Sequence, residues 1–185
     1  MTGSHDPARE AAALVARALQ DAPFETDQGG DLYLRTAAER AIRGAVGGAR
    51  VAIAGRDAAQ ITSVGFMGAR FTPDLVVEPP GGGRVAVTIT LLRGEGGPVA
   101  GALATAMALA ASPRFGAVVA FLLDRRLGRA DPFADPLEAG AGEGGPGRER
   151  GPRGLTEAEQ AFAARLWEHH GVRLVVRRQD PFGWA

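Results

Sequence analysis

Neither cysteine nor lysine occurs anywhere in the 185 residues. The first absence removes disulfides, thiolate metal sites and cysteine nucleophiles. The second removes every mechanism that turns on a side-chain amine, such as a Schiff base, a lysine general base or the lysine of a phosphate loop. All 21 cationic side chains are therefore arginines, and 21 acids balance them. A chain without net charge lacks the broad positive potential behind strong non-specific nucleic-acid binding, although a local basic patch is compatible with neutrality. Long apolar runs are missing too. The longest uncharged stretch, Gly96 to Pro113, is mostly alanine, too short and too weakly apolar to span a bilayer. The N-terminal region has no basic segment followed by an apolar run, so no signal peptide is expected. Together these absences predict a soluble, cytoplasmic protein without membrane contacts, and the length suits a single domain over 1–185.

What is present has a readable order. Asp6 followed by Pro7 has the form of a helix cap and first helical residue, and the apolar spacing predicts a helix over 7–20. A loop leads to a second helix over 32–46, capped by Asp31, in which Glu39 and Arg43 are spaced for a solvated surface ion pair. Short strands are expected at 50–54 and 61–70, with Gly65 and Gly68 marking a bulge or bend. After the turn at 94–97, Pro98 opens a helix to about Ala111 that is apolar all round and so reads as buried. The continuous apolar run 116–124 has the length of an interior strand, and a helix between two such strands predicts a parallel pair. Residues 128–154 hold eight glycines and four prolines without periodicity and read as a flexible surface loop. Thr156 and Glu159 form a capping box for a helix to about His170, Gly171 stops it, and 172–177 is a last strand. Phe182 and Trp184 in the tail are placed to dock on the domain or on a partner. In outline, residues 1–30 carry a helix and loop, 31–127 the core, 128–154 the loop, and 155–185 the C-terminal helix, strand and tail.

The most informative stretch is FTPDLVVEPPGGGRVAVTITLLR, residues 71–93. Placing the turn at 79–83 sets Val77 opposite Val85, Val76 opposite Ala86, Leu75 opposite Val87 and Asp74 opposite Thr88. Strict alternation then puts Asp74, Val76, Glu78, Arg84, Ala86, Thr88 and Thr90 on one face. The other face, from Leu75 to Leu91, is wholly apolar and belongs against helices. Glu78 and Arg84 read as a cross-strand ion pair. Glu78 stands two pleats from Asp74, roughly 13 Å, too far to share an ion with it on a straight strand.

From about Leu32 to Asp124, half the chain, the order of helix, strand, hairpin with Pro73-Asp74, buried helix and buried strand resembles the PD-(D/E)XK, or restriction-endonuclease-like, superfamily. The resemblance implies an α/β fold with a mixed central sheet flanked by helices, here with an extra C-terminal helix and strand. It implies that Asp74 stands at the motif aspartate and Glu39 at a first-helix acid found in many members. Where the family has acid-X-Lys, this chain has Thr88-Ile89-Thr90, and no lysine exists to replace the missing one. Two hydroxyls do not hold a hard divalent cation or orient water as an acid and a lysine do.

Two readings of Asp74 follow. It is a metal ligand, or a vestigial structural acid bonded to the Thr88 hydroxyl or a nearby backbone N–H. The expectation is a catalytically inactive, nuclease-like protein that needs no cofactor and acts as an interaction or assembly module, with a protein partner or a second copy as homodimer. The alternatives are a divergent Mg²⁺-dependent nuclease using Asp74 and Glu39, and a non-catalytic DNA-binding protein. Elsewhere the bland explanations suffice: His169 and His170 favour a helix C-terminus, and the glycine runs lack phosphate-loop spacing.

Overall fold

The computed structural model describes residues 6–25, 30–92, 99–125 and 157–179. The readings placed on 93–98, on 126–156 and on the Phe182/Trp184 tail lie outside these residues. Helix α1 (Pro7–Asp21) begins as its sequence suggests, with the Asp6 carboxylate accepting from the backbone N–H of Ala8 and Arg9. Helix α2 (Asp31–Ala45) differs: Gly30 caps it without a side-chain bond, and Asp31 is its first helical residue. There the acid meets the partial positive charge of the helix start. Strands β1 (Arg50–Ile53), β4 (Leu75–Glu78) and β5 (Val85–Leu92) follow, with β2 (Val64–Phe66) and β3 (Ala69–Phe71) between the first two. Residues 61–70 are thus not one bent strand. They turn at Met67 and Gly68, both at positive φ (49° and 79°), and pair back on themselves.

The main sheet runs β1-β4-β5-β6-β7, where β6 is Ala117–Asp124 and β7 is Val172–Arg178. It is a mixed sheet. β1, β4 and β5 are antiparallel neighbours, whereas β5, β6 and β7 are parallel. The parallel half follows from its connections. Helix α3 (Val99–Ala110) separates β5 from β6, and α4 (Glu157–His170) precedes β7, as crossover links between parallel strands require. Every residue of β6 is buried, which is why that strand has no alternation to read.

Two apolar layers sandwich the sheet. On one face α1 and α2 pack Val15, Leu19, Leu34 and Ile42 over Ile53, Leu75, Val77, Val87 and Phe121. On the other, α3, α4 and the β2–β3 hairpin cover Val76, Ala86, Val118, Leu122 and Leu174. Helix α1 sits close enough that a Cβ on Gly116 would lie 2.6 Å from the Ala8 Cβ, so only glycine fits there. Helix α3 is not buried all round: Ala102, Ala106 and Leu109 face inward while Gly101 and Ala104 are exposed. Its side chains are nearly all small and apolar, so the sequence carries no stripe to separate the two sides. Gly171, at φ 66°, ends α4 by donating to the Trp167 carbonyl, as expected of a left-handed stop.

Candidate functional site

The carboxylate singled out by sequence lies in a bend immediately before β4, between two strands. Its backbone is tied on both sides: the Asp74 N–H donates to the Val87 carbonyl at 2.9 Å, and its carbonyl accepts from Ala54 at 2.8 Å. The ladder does not include Asp74 opposite Thr88, but the deduced register is found for Leu75, Val76 and Val77, opposite Val87, Ala86 and Val85. The side assigned to Asp74 is not. Its carboxylate turns toward α2 and borders a small pocket of ≈ 60 Å³ with Asp31, Leu34, Arg35, Ile89 and Leu91. Alternation places Thr88 and Thr90 on the opposite face, with Ala86 and Leu92 under α3, and Thr88 is buried there. The reason is local. Alternation holds only inside a strand, and the bend after Pro73 rotates residue 74 out of phase with Val76.

The groups that meet the Asp74 carboxylate are therefore a backbone amide and an arginine. Oδ2 accepts from the Ile89 N–H at 2.7 Å. Oδ1 takes both the Nε and a terminal nitrogen of Arg35, at 2.8 and 2.7 Å. Arg35 also donates to the Ala54 carbonyl at the end of β1. Burial pushes the Asp74 carboxyl above its ordinary range, with a small added push from Asp31, while the Ile89 amide and Arg35 pull the other way. The Thr88 hydroxyl is not its partner, but the second half of that reading, a nearby backbone N–H, holds.

Glu39 lies one helical turn beyond Arg35 and is more enclosed than a solvated pair would be, at 9% exposure. Arg56, in the turn after β1, clamps it from both terminal nitrogens at 2.9 and 2.7 Å, and Arg43 adds a bond at 3.0 Å. Arg43 also donates to the Val51 carbonyl. Asp57 completes the cluster: it accepts from the Ile53 N–H at 2.9 Å and from Arg56 at 3.2 Å. The Arg56 bonds are the main reason that Glu39 titrates below its ordinary range, and the Ile53 amide does the same for Asp57. At the far end of the hairpin Glu78 and Arg84 form the expected pair, Nε to Oε1 2.8 Å. The N–H there is not aimed at the oxygen, so the contact is ionic rather than a hydrogen bond. Arg84 hydrogen-bonds instead to Thr62 and the Gln60 carbonyl.

Each candidate acid thus has an arginine of its own: Arg35 for Asp74, Arg56 with Arg43 for Glu39, Arg84 for Glu78. Thr88 and Thr90 join none of them. A hard divalent cation takes six or more oxygens. Around Asp74 it would meet two carboxylates, Asp74 and Asp31, with three aliphatic side chains and a guanidinium already bound to Asp74, a set too poor in oxygens to fit it. Among the described residues no group of three acids or histidines is placed to hold a metal ion. His169 and His170 end α4 with ring centroids 6.4 Å apart, edge to face. Sequence reasoning missed Arg35, Arg56 and Asp57. A trace of the first was available, because Arg35, Glu39 and Arg43 recur every four residues along one side of α2.

No family model, curated protein or solved structure matches the chain. Among the described residues no helix is long and apolar enough to cross a membrane.

Proposed function

We propose that this chain is a non-catalytic relative of the PD-(D/E)XK nucleases and works as an interaction or assembly module in the cytoplasm. The observation that carries the reading is the occupancy of Asp74. Both carboxylate oxygens are engaged by Arg35 and the Ile89 amide, and the side chains turned to the same face are Ile89 and Leu91. An acid in that arrangement stitches α2 to the β1–β4–β5 junction. To bind a cation it would have to release a partly buried arginine, leaving that charge unpaired at a cost of about 3 kcal/mol or more. Glu39 supports the same conclusion, since two guanidinium groups satisfy its oxygens.

Titration calorimetry with Mg²⁺ and Mn²⁺, beside a cleavage assay on single- and double-stranded DNA, tests this directly. No binding heat and no cleavage are expected. Metal binding that disappears in Asp74→Ala would overturn the proposal in favour of a divergent nuclease. DNA binding at low salt without cleavage would point instead to a DNA-binding role.

A further inference from the structure

Strand β7 forms one edge of the main sheet. Its neighbour β6 takes the backbone of alternate residues: the Gly171 carbonyl accepts from Val118, and the Gln179 N–H donates to Asp124. In a parallel ladder this alternation sends the N–H and C=O of Leu174 and Val176 the other way, off the sheet. Among the described residues nothing pairs with them. A cleft of ≈ 370 Å³ runs alongside, between β7 residues 173–176 and the outer flank of α1. Ala13 and Ala16 keep the α1 wall low, which leaves room for another backbone.

The charges along the cleft select its occupant. Arg17 and Arg173 border it, against the single acid Asp21. The Arg173 guanidinium carbon lies 5.6 Å from the centroid of the Trp167 ring, and its side chain remains exposed. A second copy of β7 is a poor match. Antiparallel pairing about Val175, the register of greatest overlap, would set Arg173 opposite Arg177 at both ends, and facing like charges destabilise a strand pair.

We propose that β7 accepts an extended peptide from a partner protein as a sixth strand, with apolar residues alternating with acids. Its main chain pairs with Leu174 and Val176. Its acidic side chains fall on the α1 side near Arg17 and Arg173, and its apolar ones continue the layer formed by Val172, Leu174 and Val176. The proposal rests on the assembly reading and names the partner chemistry for it.

The test uses the full chain and a glutamate–valine alternating octapeptide blocked at both ends, with amide hydrogen exchange followed by NMR. Exchange at Leu174 and Val176 is expected to slow about tenfold or more at saturation, while Arg173 and Val175, already in the β6 ladder, change little. The exposed substitution Arg17→Glu is expected to weaken binding about tenfold, and a lysine–valine peptide to bind the wild type poorly. Equal protection by both peptides, no protection at either amide, or a protein that doubles in mass without peptide would overturn the proposal. Metal binding or DNA cleavage would sink the non-catalytic reading without touching these amide measurements, so the two can fail separately.

Discussion

Asp74 and Glu39 are joined to α2 one turn apart, the first through Arg35 and the second as a residue of the helix itself. Both are carboxylates in ion pairs, yet they experience opposite balances. Asp74 lies in the angle between α2 and the sheet, where lost hydration outweighs a single arginine and one amide. Glu39 is covered chiefly by two guanidinium groups that are themselves about half exposed (46% and 50%), so it gains their charge while water stays near. Proximity of an arginine therefore does not settle how an acid behaves. What covers the pair decides it.

The largest expected effect that separates them is Asp74→Ala. It strips Arg35 and the Ile89 N–H of their acceptor inside the fold and is expected to lower the unfolding free energy by about 2–4 kcal/mol. Urea denaturation measures this. The double change Arg35→Leu with Asp74→Leu should recover most of the loss, because a vacated apolar angle costs less than an orphaned charge. A single variant as stable as wild type would mean that the pair carries no structural weight.

Glu39→Gln is the milder break, expected at about 1 kcal/mol because the two guanidinium groups it would release are half exposed and can return to water. Its signature lies in pH. The folded value of Glu39 is below its ordinary 4.5, so its contribution is present above that pH and lost as pH falls through the folded value. Asp74 runs the other way: its folded value is raised above 3.8, so its titration favours the folded state at low pH, a contribution lost as pH rises through the folded value. Denaturation midpoints across the acid range should show wild type gaining on Glu39→Gln as pH rises, and losing ground against Asp74→Asn. Parallel trends for the two variants would erase the contrast.

The smallest effect concerns the turn of the β2–β3 hairpin. Met67 holds positive φ with its side chain 91% exposed, so the conformation is strained and no packing compensates it. Met67→Asn or Met67→Gly is expected to stabilise by about 0.5–1 kcal/mol, read as a modest rise in melting temperature.

These contrasts also mark where sequence stops being legible. The β4–β5 register could be read because alternation and a Pro-Gly turn act within a few residues. The side taken by Asp74 could not, since one bend after Pro73 moved it from the Thr88 and Thr90 face to that of Ile89 and Leu91. Thr88-Ile89-Thr90 marked the right strand but the wrong side of it. Arg35 and Arg56 eluded prediction because helix spacing shows which residues share a side, not which loop lies across from them. The mixed sheet itself was legible through its connections: a short turn for the antiparallel pair, a helix for the parallel one.

The same sheet has two kinetic halves. β4 and β5 meet across the turn from Glu78 to Arg84, a closure that costs little chain entropy. β7 reaches β6 only after the whole stretch from Asp124 to Val172 has been gathered in, including α4. Topologically distant pairings form late when other factors are equal. The hairpin that holds Asp74 is thus suited to be an early nucleus, and β7 a late addition.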